Sequence, residues 1–456
     1  MFESGRIYFG DLCMSGRAIT VGGRVVLSAV LVSLAGGVCS AQSYSAAIIN
    51  PAGSLETFIR GGGQSAGAVG SYSLPIESPI PDSRIVRAFV FDGSNVVDLH
   101  PTGFSASYAN RSRNGQQVGF GFTSDPNIAL LWTGTAESVV QLNNSETLSA
   151  VASDTDGQTQ VGAARTILGG PLDNAYAWQG TPESGRSIHP PTLFGSAAFA
   201  IRDGAIVETG EDFGEMRTGV YWPSLNDQGQ IVRPDGFDET FLYDLVLGYG
   251  FGEGYGSATG GPRHAMLFNL SNFSDTISLH PADPSVINTY ARSARAFGTT
   301  LNDVVFVGSA AVEDIPGTGE TDEHAVAWVG PTTFVNLHRL LPTGFNFRYS
   351  VAQAVDESGK IYGFASDLQG LYVGVVWTPQ TSTGCSPADI ANTDGDPGSD
   401  GAVDNGDFSA FFTAFFLSGD DPARLIADVA NTDGEPGADG VIDNGDFTLF
   451  FAGCAN

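Results

Sequence analysis

Ile128-Ala-Leu-Leu-Trp132-Thr-Gly and Ala175-Tyr-Ala-Trp178-Gln-Gly are two copies of one phrase: a short apolar run that ends on an aromatic and is cut off by glycine. The phrase returns, loosely, as Arg87-Ala-Phe-Val-Phe91-Asp-Gly, Arg217-Thr-Gly-Val-Tyr-Trp222-Pro, His264-Ala-Met-Leu-Phe268, His324-Ala-Val-Ala-Trp328-Val-Gly and Tyr372-Val-Gly-Val-Val-Trp377. Seven anchors therefore punctuate residues 42–380. Runs this short, rich in β-branched and aromatic residues and closed by Gly or Pro, read as strands.

Working outward from each anchor, the same companions recur. A Leu-His-Pro element follows as Leu99-His100-Pro101, Ile188-His189-Pro190, Leu279-His280-Pro281 and Leu337-His338. Then comes a run of small alternating residues, such as Ser105-Ala-Ser-Tyr-Ala109 and Ser350-Val-Ala-Gln-Ala354. A fourth run leaves a Gly turn: Gly115-Gln-Gln-Val-Gly119, Gly157-Gln-Thr-Gln-Val-Gly162 and Gly359-Lys-Ile-Tyr-Gly363. Four short strands per unit of roughly 40–50 residues is the signature of a β-propeller blade. Each unit is read as opening on its aromatic strand. The last anchor, Trp377, has no room for three more strands, and the stretch from Tyr44 to Tyr72 has strand-like runs without an anchor. Together they are expected to make one shared blade that closes a ring of seven, since closure removes exposed sheet edges. The units around 217–310 are the most degenerate.

Charge and cysteine bound the function. The 456 residues carry 50 acidic against 20 basic side chains, a formal net charge of -30, which excludes nucleic acid as a partner. From Cys385 onward stand 14 acidic residues and one basic, so the acidity is concentrated at the C-terminal end. At the other end, Arg17 and Arg24 precede the apolar run from Val25 to Val38 and the small-residue site Cys39-Ser40-Ala41, the pattern of a signal peptide over residues 1–41, with Met14 as an alternative start. That run is too short to span a bilayer and no other is longer, so no transmembrane segment is expected in the mature chain. Of four cysteines, Cys385 and Cys454 survive such cleavage, and a single disulfide between them is expected in an oxidising compartment.

The aromatic strands and Gly-Gln turns resemble the HAF-type extracellular repeats, which implies an extracellular propeller-like array without specifying an activity. The six histidines, His100, His189, His264, His280, His324 and His338, all fall at repeat-locked positions, which points to structural roles. No Gly-x-Ser-x-Gly elbow, His-Glu-x-x-His helix or phosphate-cradling loop is present. Glu211-Asp212 and Asp322-Glu323 are expected to be solvent-facing, Asp154-Thr-Asp156-Gly157 to form a turn, and Gly61-Gly-Gly63 and Gly260-Gly261 to be turn glycines. No catalytic residue is assigned.

The C-terminal stretch repeats itself at an offset of 39 residues: Asp389-Ile-Ala-Asn392-Thr-Asp394 through Asp400-Gly, Asp404-Asn-Gly-Asp407-Phe408, then Asp428-Val-Ala-Asn431-Thr-Asp433 through Asp439-Gly, Asp443-Asn-Gly-Asp446-Phe447. Oxygen ligands at near-alternate places, a mid-loop Asp-Gly and a closing acid seven residues later fit Ca²⁺, which takes six to eight oxygens. Asp407 and Asp446 are the closing acids, and Asp404 and Asp443 complete the late ligands. Phe408, Phe411, Phe412, Phe415 and Phe416 recur at the spacing of one helical face, so a helix is expected to follow the first closing acid. A shorter one is expected after the second, with folding coupled to calcium uptake.

These paired loops, with Gly384-Cys385 and Gly453-Cys454, resemble type I dockerin modules of the Cys-bounded kind found on planctomycete secreted proteins. The resemblance implies anchoring over residues 385–456 through a cohesin-like or other surface module. The front half of each loop departs from that pattern. Asp396 and Glu435, each followed by Pro-Gly, stand where the first ligand belongs, so Asp389, Asn392 and Asp394 compete for the early places in one loop and Asp428, Asn431 and Asp433 in the other. The expectation is a mainly β chain: a seven-bladed propeller over 42–380, a linker over 381–384 and a small helical dockerin-like module. Its function is a secreted or cell-surface, non-enzymatic binding or structural body with an extracellular glycan or protein partner. The alternative is an exported polysaccharide hydrolase or lyase with its site on one propeller face.

Overall fold

The computed structural model describes residues 44–380 except 63–66, 77–82, 125, 168–173, 215, 314–320 and 343–345, and beyond them residues 8–9, 12–13, 19–21, 24–26, 390, 405–416 and 427. Two compact units divide the chain, one over 42–381 and one over 1–41 with 382–456.

In the larger unit, the strands form seven four-stranded antiparallel groups among the described residues. They span 56–98, 106–141, 147–187, 195–232, 239–278, 286–336 and 347–379, and are called blades 1 to 7. Blades 1 and 2 are additionally joined by one parallel bridge, Ala106 to Val86. Blade 7 takes its outermost strand from the other end of the chain: Tyr44–Ile49 pairs antiparallel with Tyr372–Pro379, Ala46 opposite Trp377. The first strands of successive blades touch one another around the circle, and Phe347–Val355 of blade 7 touches Glu56–Gly62 of blade 1. The chain is thus a closed seven-bladed β-propeller with its first strands innermost.

The repeat read from the sequence is a blade, but its phase is shifted. The aromatic strand is third in each blade, not first, and the small-residue run is innermost. A propeller blade needs its smallest residues where the strands crowd the axis, which puts the aromatic one strand further out than its partner. The N-terminal stretch is divided for the same reason. Only Tyr44–Ile49 closes blade 7, while Glu56–Gly62 and Ala68–Pro75 begin blade 1 and are completed by the Phe91 strand. The degenerate region 217–310 keeps all its strands.

The anchors fill the space between blades. Trp132, Trp178, Phe268, Trp328 and Trp377 are fully buried or nearly so, and Trp222 is buried; each contributes on the order of 2–3 kcal/mol of hydrophobic stabilisation. One register holds in all seven blades, since the second-strand residue two before a fixed position pairs with the anchor. That fixed position is Gly70, Gly119, Gly162, Gly252, Gly308 and Gly363 in six blades. It lies beside a bulge in the innermost strand, where a Cβ would stand 1.7 to 2.0 Å from that strand's carbonyl oxygen. Glycine is required there by close approach, which explains the second glycine of the turn phrase. Gly61 and Gly62 belong to the innermost strand of blade 1 instead of a turn, whereas Gly260 and Gly261 are turn glycines with positive φ.

The Leu-His-Pro element staples blades together. Leu99, Ile188, Leu279 and Leu337 are buried, and the histidine after each reaches the next blade. His100 Nδ1 lies 2.8 Å from Ser107 Oγ, His189 Nδ1 2.8 Å from Ser196 Oγ, His280 Nδ1 3.3 Å from Thr289 Oγ1 and His338 Nδ1 2.7 Å from Ser350 Oγ. Those hydroxyls in turn accept backbone N–H groups of the preceding blade's aromatic strand, from Ala88, Ala175, Ala265 and Ala325. In His100 and His189 the other ring nitrogen lies 3.1 Å from a backbone carbonyl, which makes Nε2 the donor and leaves Nδ1 to accept from serine. His264 and His324 stack on His280 and His338 with ring centroids 4.0 Å apart. All six histidines therefore sit in inter-blade staples or on them.

In the smaller unit, the described residues include two short hairpins, Tyr8–Phe9 with Leu12–Cys13 and Ile19–Val21 with Arg24–Val26, and one helix, Asn405–Phe416. The helix forms where the phenylalanine spacing calls for it. Phe411, Ala410 and Ala414 are buried, and Phe411 stacks on Phe415 at 5.4 Å. Phe412, which the spacing placed on the same face, is instead 36% exposed, since a residue adjacent to the buried Phe411 is turned about 100° from it. No helix of the described residues is long and apolar enough to cross a membrane.

Candidate functional site

Directly after the bulge of the innermost strand in blades 2, 3, 5 and 6, and two residues further on in blade 4, stand polar or charged side chains that meet one another. Arg111 of blade 2, Asp154 of blade 3, Arg202 of blade 4, Asp244 of blade 5 and Ser293 of blade 6 close a ring. Arg111 Nε is 3.8 Å from Asp154 Oδ1, and Asp154 Oδ2 pairs with Arg202 Nη1. Arg202 Nη2 lies 2.5 Å from Asp244 Oδ1. Ser293 donates to Asp244 Oδ2 at 2.8 Å, and Arg111 Nη1 donates back to Ser293 at 3.3 Å. The last bond reaches from blade 2 to blade 6, across the middle of the propeller. Backbone N–H groups of Ile201 and Ala294 donate to Asp154 and Asp244, each at 3.1 Å.

Both aspartates are fully buried. Burial pushes the Asp154 carboxyl up, but Arg202, Arg113 and Arg111 outweigh it and hold it below the usual range. Burial pulls Arg202 down, and Asp244 and Asp154 more than restore it. Asp154 and Arg202 therefore face each other as an ion pair, and the ring plugs the channel. Asp154, expected in a turn, lies instead within its strand, Thr147–Thr155, and in this ring; the turn begins at Asp156.

At the end of the channel where the innermost strands finish, a cleft of about 420 Å³ opens over the plug. Arg113, Arg202 and Arg295 face it, with apolar walls that include Tyr221, Val246, Leu247 and Leu270. On the opposite face, a cleft of about 370 Å³ between blades 4 and 5 is lined by Phe199, Phe241, Tyr243, Glu211 and Arg217. Its carboxylates are held by arginines. Glu211 pairs with Arg217 at 3.0 Å, and the nearby buried Glu253 receives Arg263 at 3.3 Å and Arg292 at 3.4 Å. Arg263 also lies over the Phe241 ring, 4.5 Å from its centroid. The adjacent acids expected at the surface are partners too: Asp212 of Arg233 at 3.1 Å, and Asp322 of Arg348 at 2.8 Å.

One acid breaks the repeat. Glu208 occupies in blade 4 the position that is glycine in the six other blades, opposite Ala198 beside the bulge. It is fully buried, and its Oε2 accepts from Trp222 Nε1 at 2.8 Å. Burial pushes its pKa up to about 7.

Of the calcium candidates, Asp407 lies in the first turn of the helix Asn405–Phe416, and nothing is described of its side chain. Asp389, Asn392, Asp394, Asp400, Asp404, Asp428, Asn431, Asp433, Asp439, Asp443 and Asp446 lie outside the described residues, as do Cys385 and Cys454. A closing acid in the first turn of the exit helix suits a loop-then-helix cation unit. The arginine and aspartate positions of the channel had a faint trace in the sequence: few basic residues in an acidic chain, three of them, Arg113, Arg202 and Arg295, near the ends of small-residue runs.

No protein-family model matches the chain, and no curated protein matches it. Among solved structures it is similar to the β-propeller domain of the Trilobed protease from Pyrococcus furiosus, at 9% identity and a TM-score of 0.46, over 71% of this chain and 95% of that one. It is similar to YCF48 bound to D1 peptide at 10% identity and a TM-score of 0.42, over 74% and 96% of the two chains. TolB from Acinetobacter baumannii shows 9% identity and a TM-score of 0.34, over 68% and 64%. The seven blades are established by this chain's own strand pairings.

Proposed function

We propose that the protein is a secreted, non-enzymatic binding body: a propeller that presents a ligand-binding face and is held in place by a calcium-loaded, dockerin-like module over 385–456. The observation that carries the binding half is the plugged channel. Its five-blade ring of Arg111, Asp154, Arg202, Asp244 and Ser293 fixes the polar groups in mutual pairs, and the histidines that general acid–base chemistry would use are held in the inter-blade staples. The anchoring half rests on the two near-identical acidic loops, the cysteines that bracket them and the helix Asn405–Phe416, which carries Asp407 in its first turn.

Calcium titration of the full chain by calorimetry tests the anchor. Uptake of two ions per chain is expected, with loss of one on Asp407→Ala and of both on Asp407→Ala with Asp446→Ala; no uptake at about millimolar calcium rejects it. A polysaccharide hydrolase or lyase is the competing reading, favoured by the aromatic cleft between blades 4 and 5. Incubation with a panel of marine polysaccharides separates the two: pull-down without new reducing or unsaturated ends supports the binding body, and chain cleavage supports the enzyme.

A further inference from the structure

We propose that the cleft at the end of the channel where the innermost strands finish is a binding site for a small organic carboxylate with an apolar or aromatic body. This names the ligand class for the binding propeller proposed above and rests on that reading; it does not depend on the calcium module.

Three observations carry it. First, the floor of the cleft carries a guanidinium, that of Arg113, which no carboxylate among the described residues pairs at contact distance. Arg113, Arg202 and Arg295 line it, and Arg111 stands in the plug below. Asp154 and Asp244 below it are already taken by Arg202 and Arg111 in the ring, and Asp203 stands at the lip beside Arg202. Among the described residues, Arg295 is paired only with the exposed Glu357, at 3.7 Å, and Arg113 has no carboxylate at ion-pair distance. The Nε of Arg113 and that of Arg295 are buried and make no hydrogen bond. Burial pulls the Arg113 guanidinium down to about 10, and repulsion from Arg202 adds to it. Guanidinium groups held together against their mutual repulsion bind a planar carboxylate through paired N–H donors.

Second, the walls are apolar. Tyr221, Val246, Leu247, Leu270, Ala294 and Ala296 surround the arginines, so the site suits a ligand with a charged head and an apolar body rather than a bare anion or a hydroxyl-rich acid.

Third, the lip breaks a turn rule. The hairpins that leave the innermost strands of blades 2 and 4 turn on Asn114-Gly115 and Asp203-Gly204, with positive φ at both residues of each pair. Asn and Asp suit that geometry. In blade 5 the same place holds Leu247, at φ 47°, followed by Gly248. A bulky side chain in this region is strained, and Leu247 is 41% exposed at the edge of the cleft. An asparagine there would suit the turn better; the leucine extends the apolar wall over the arginines.

Calorimetry on the full chain with 3-phenylpropionate, its neutral amide, glucuronate and inorganic sulfate tests the proposal. The acid is expected to bind at least about tenfold more tightly than the amide, since the charge-assisted pair is the difference. It should also bind more tightly than glucuronate or sulfate. Arg113→Gln should weaken the acid about tenfold with the chain still folded and only a small change in melting temperature, because Arg113 has no hydrogen bond or ion pair at contact distance among the described residues and acts on Asp154 only through space. Leu247→Asn should weaken it while raising the melting temperature. Equal binding of acid and amide overturns the proposal, as does equal binding of sulfate or glucuronate, unchanged affinity in Arg113→Gln, or no binding at about 10 mM acid. A chain that takes up calcium but not phenylpropionate loses this inference alone, and one that binds phenylpropionate but no calcium loses only the anchor.

Discussion

Glu208 and the stacked histidines respond to pH with opposite signs. The Glu208 carboxyl, raised by burial to about 7 against an ordinary value of 4.5, keeps its proton in the folded chain over a range where the unfolded chain releases it. Stability from this group is fully present below pH 4.5 and is lost as pH rises through 7. His264 and His338 behave in the reverse way. Burial and the neighbouring ring lower each to about 4, so the unfolded chain takes up protons below about pH 6.5 while the folded chain does not. Their contribution is complete above pH 6.5 and is lost as pH falls through 4. Glu208→Gln, which keeps an acceptor for Trp222 Nε1, is therefore expected to raise stability at pH 7 by on the order of 2 kcal/mol and to leave it unchanged near pH 4. Chemical denaturation across pH 4 to 7 measures this; an unchanged profile would mean that Glu208 is ionised in the fold. His338→Gln, measured the same way, should flatten the loss of stability between pH 6.5 and 4.

The second strand of each blade shows what the sequence made legible and where it stopped. The glycine of the turn phrase marked the strand, but its reason lies in the facing bulge, which is a property of two strands at once. The phase of the blade was hidden for a similar reason: four strands in a cyclic repeat read equally well from any starting strand, and only the position of the ring axis distinguishes them. The strand Tyr44–Ile49 was marked by its own alternation, while the assignment of Glu56–Gly62 depended on its pairing with Ala68–Pro75, which no local pattern shows. Close approach makes a sharp prediction at this scale. Gly162→Ala places a Cβ about 2.0 Å from the Val151 carbonyl oxygen, so the innermost strand of blade 3 must move. A loss of roughly 2–4 kcal/mol is expected, against at most a few tenths for Gly180→Ala, judged on space alone, where nothing lies within 4 Å; the positive φ of Gly180 adds its own strain of about 1 kcal/mol. Equal losses at the two positions would show that backbone conformation, and not the approach of the bulge, governs the phrase.

Across the whole propeller, two devices tie distant parts of the chain together, and they differ in kind. The pairing of Tyr44–Ile49 with Tyr372–Pro379 is a backbone ladder, which any suitably alternating strand can make. The ring of Arg111, Asp154, Arg202, Asp244 and Ser293 draws one side chain from each of five blades, so each member depends on the placement of the others. A buried ion pair is weak evidence for stability, because desolvation offsets much of its attraction, yet removing one partner leaves the other charge uncompensated. Asp244→Ala would leave Arg202 Nη2, Ser293 Oγ and the Ala294 N–H without the acceptor they share. A loss of about 3–5 kcal/mol is expected. Arg202→Ala should cost a similar amount by stranding Asp154 and Asp244 together. If the ring acts as one unit, the double variant will be less unstable than the two losses added, by roughly 1–3 kcal/mol, because the second removal takes away a charge that the first had already left unpaired. Urea denaturation of the four proteins closes this cycle. Strict additivity would mean that each blade holds its own charge independently and that the plug is five local contacts instead of one coupled ring.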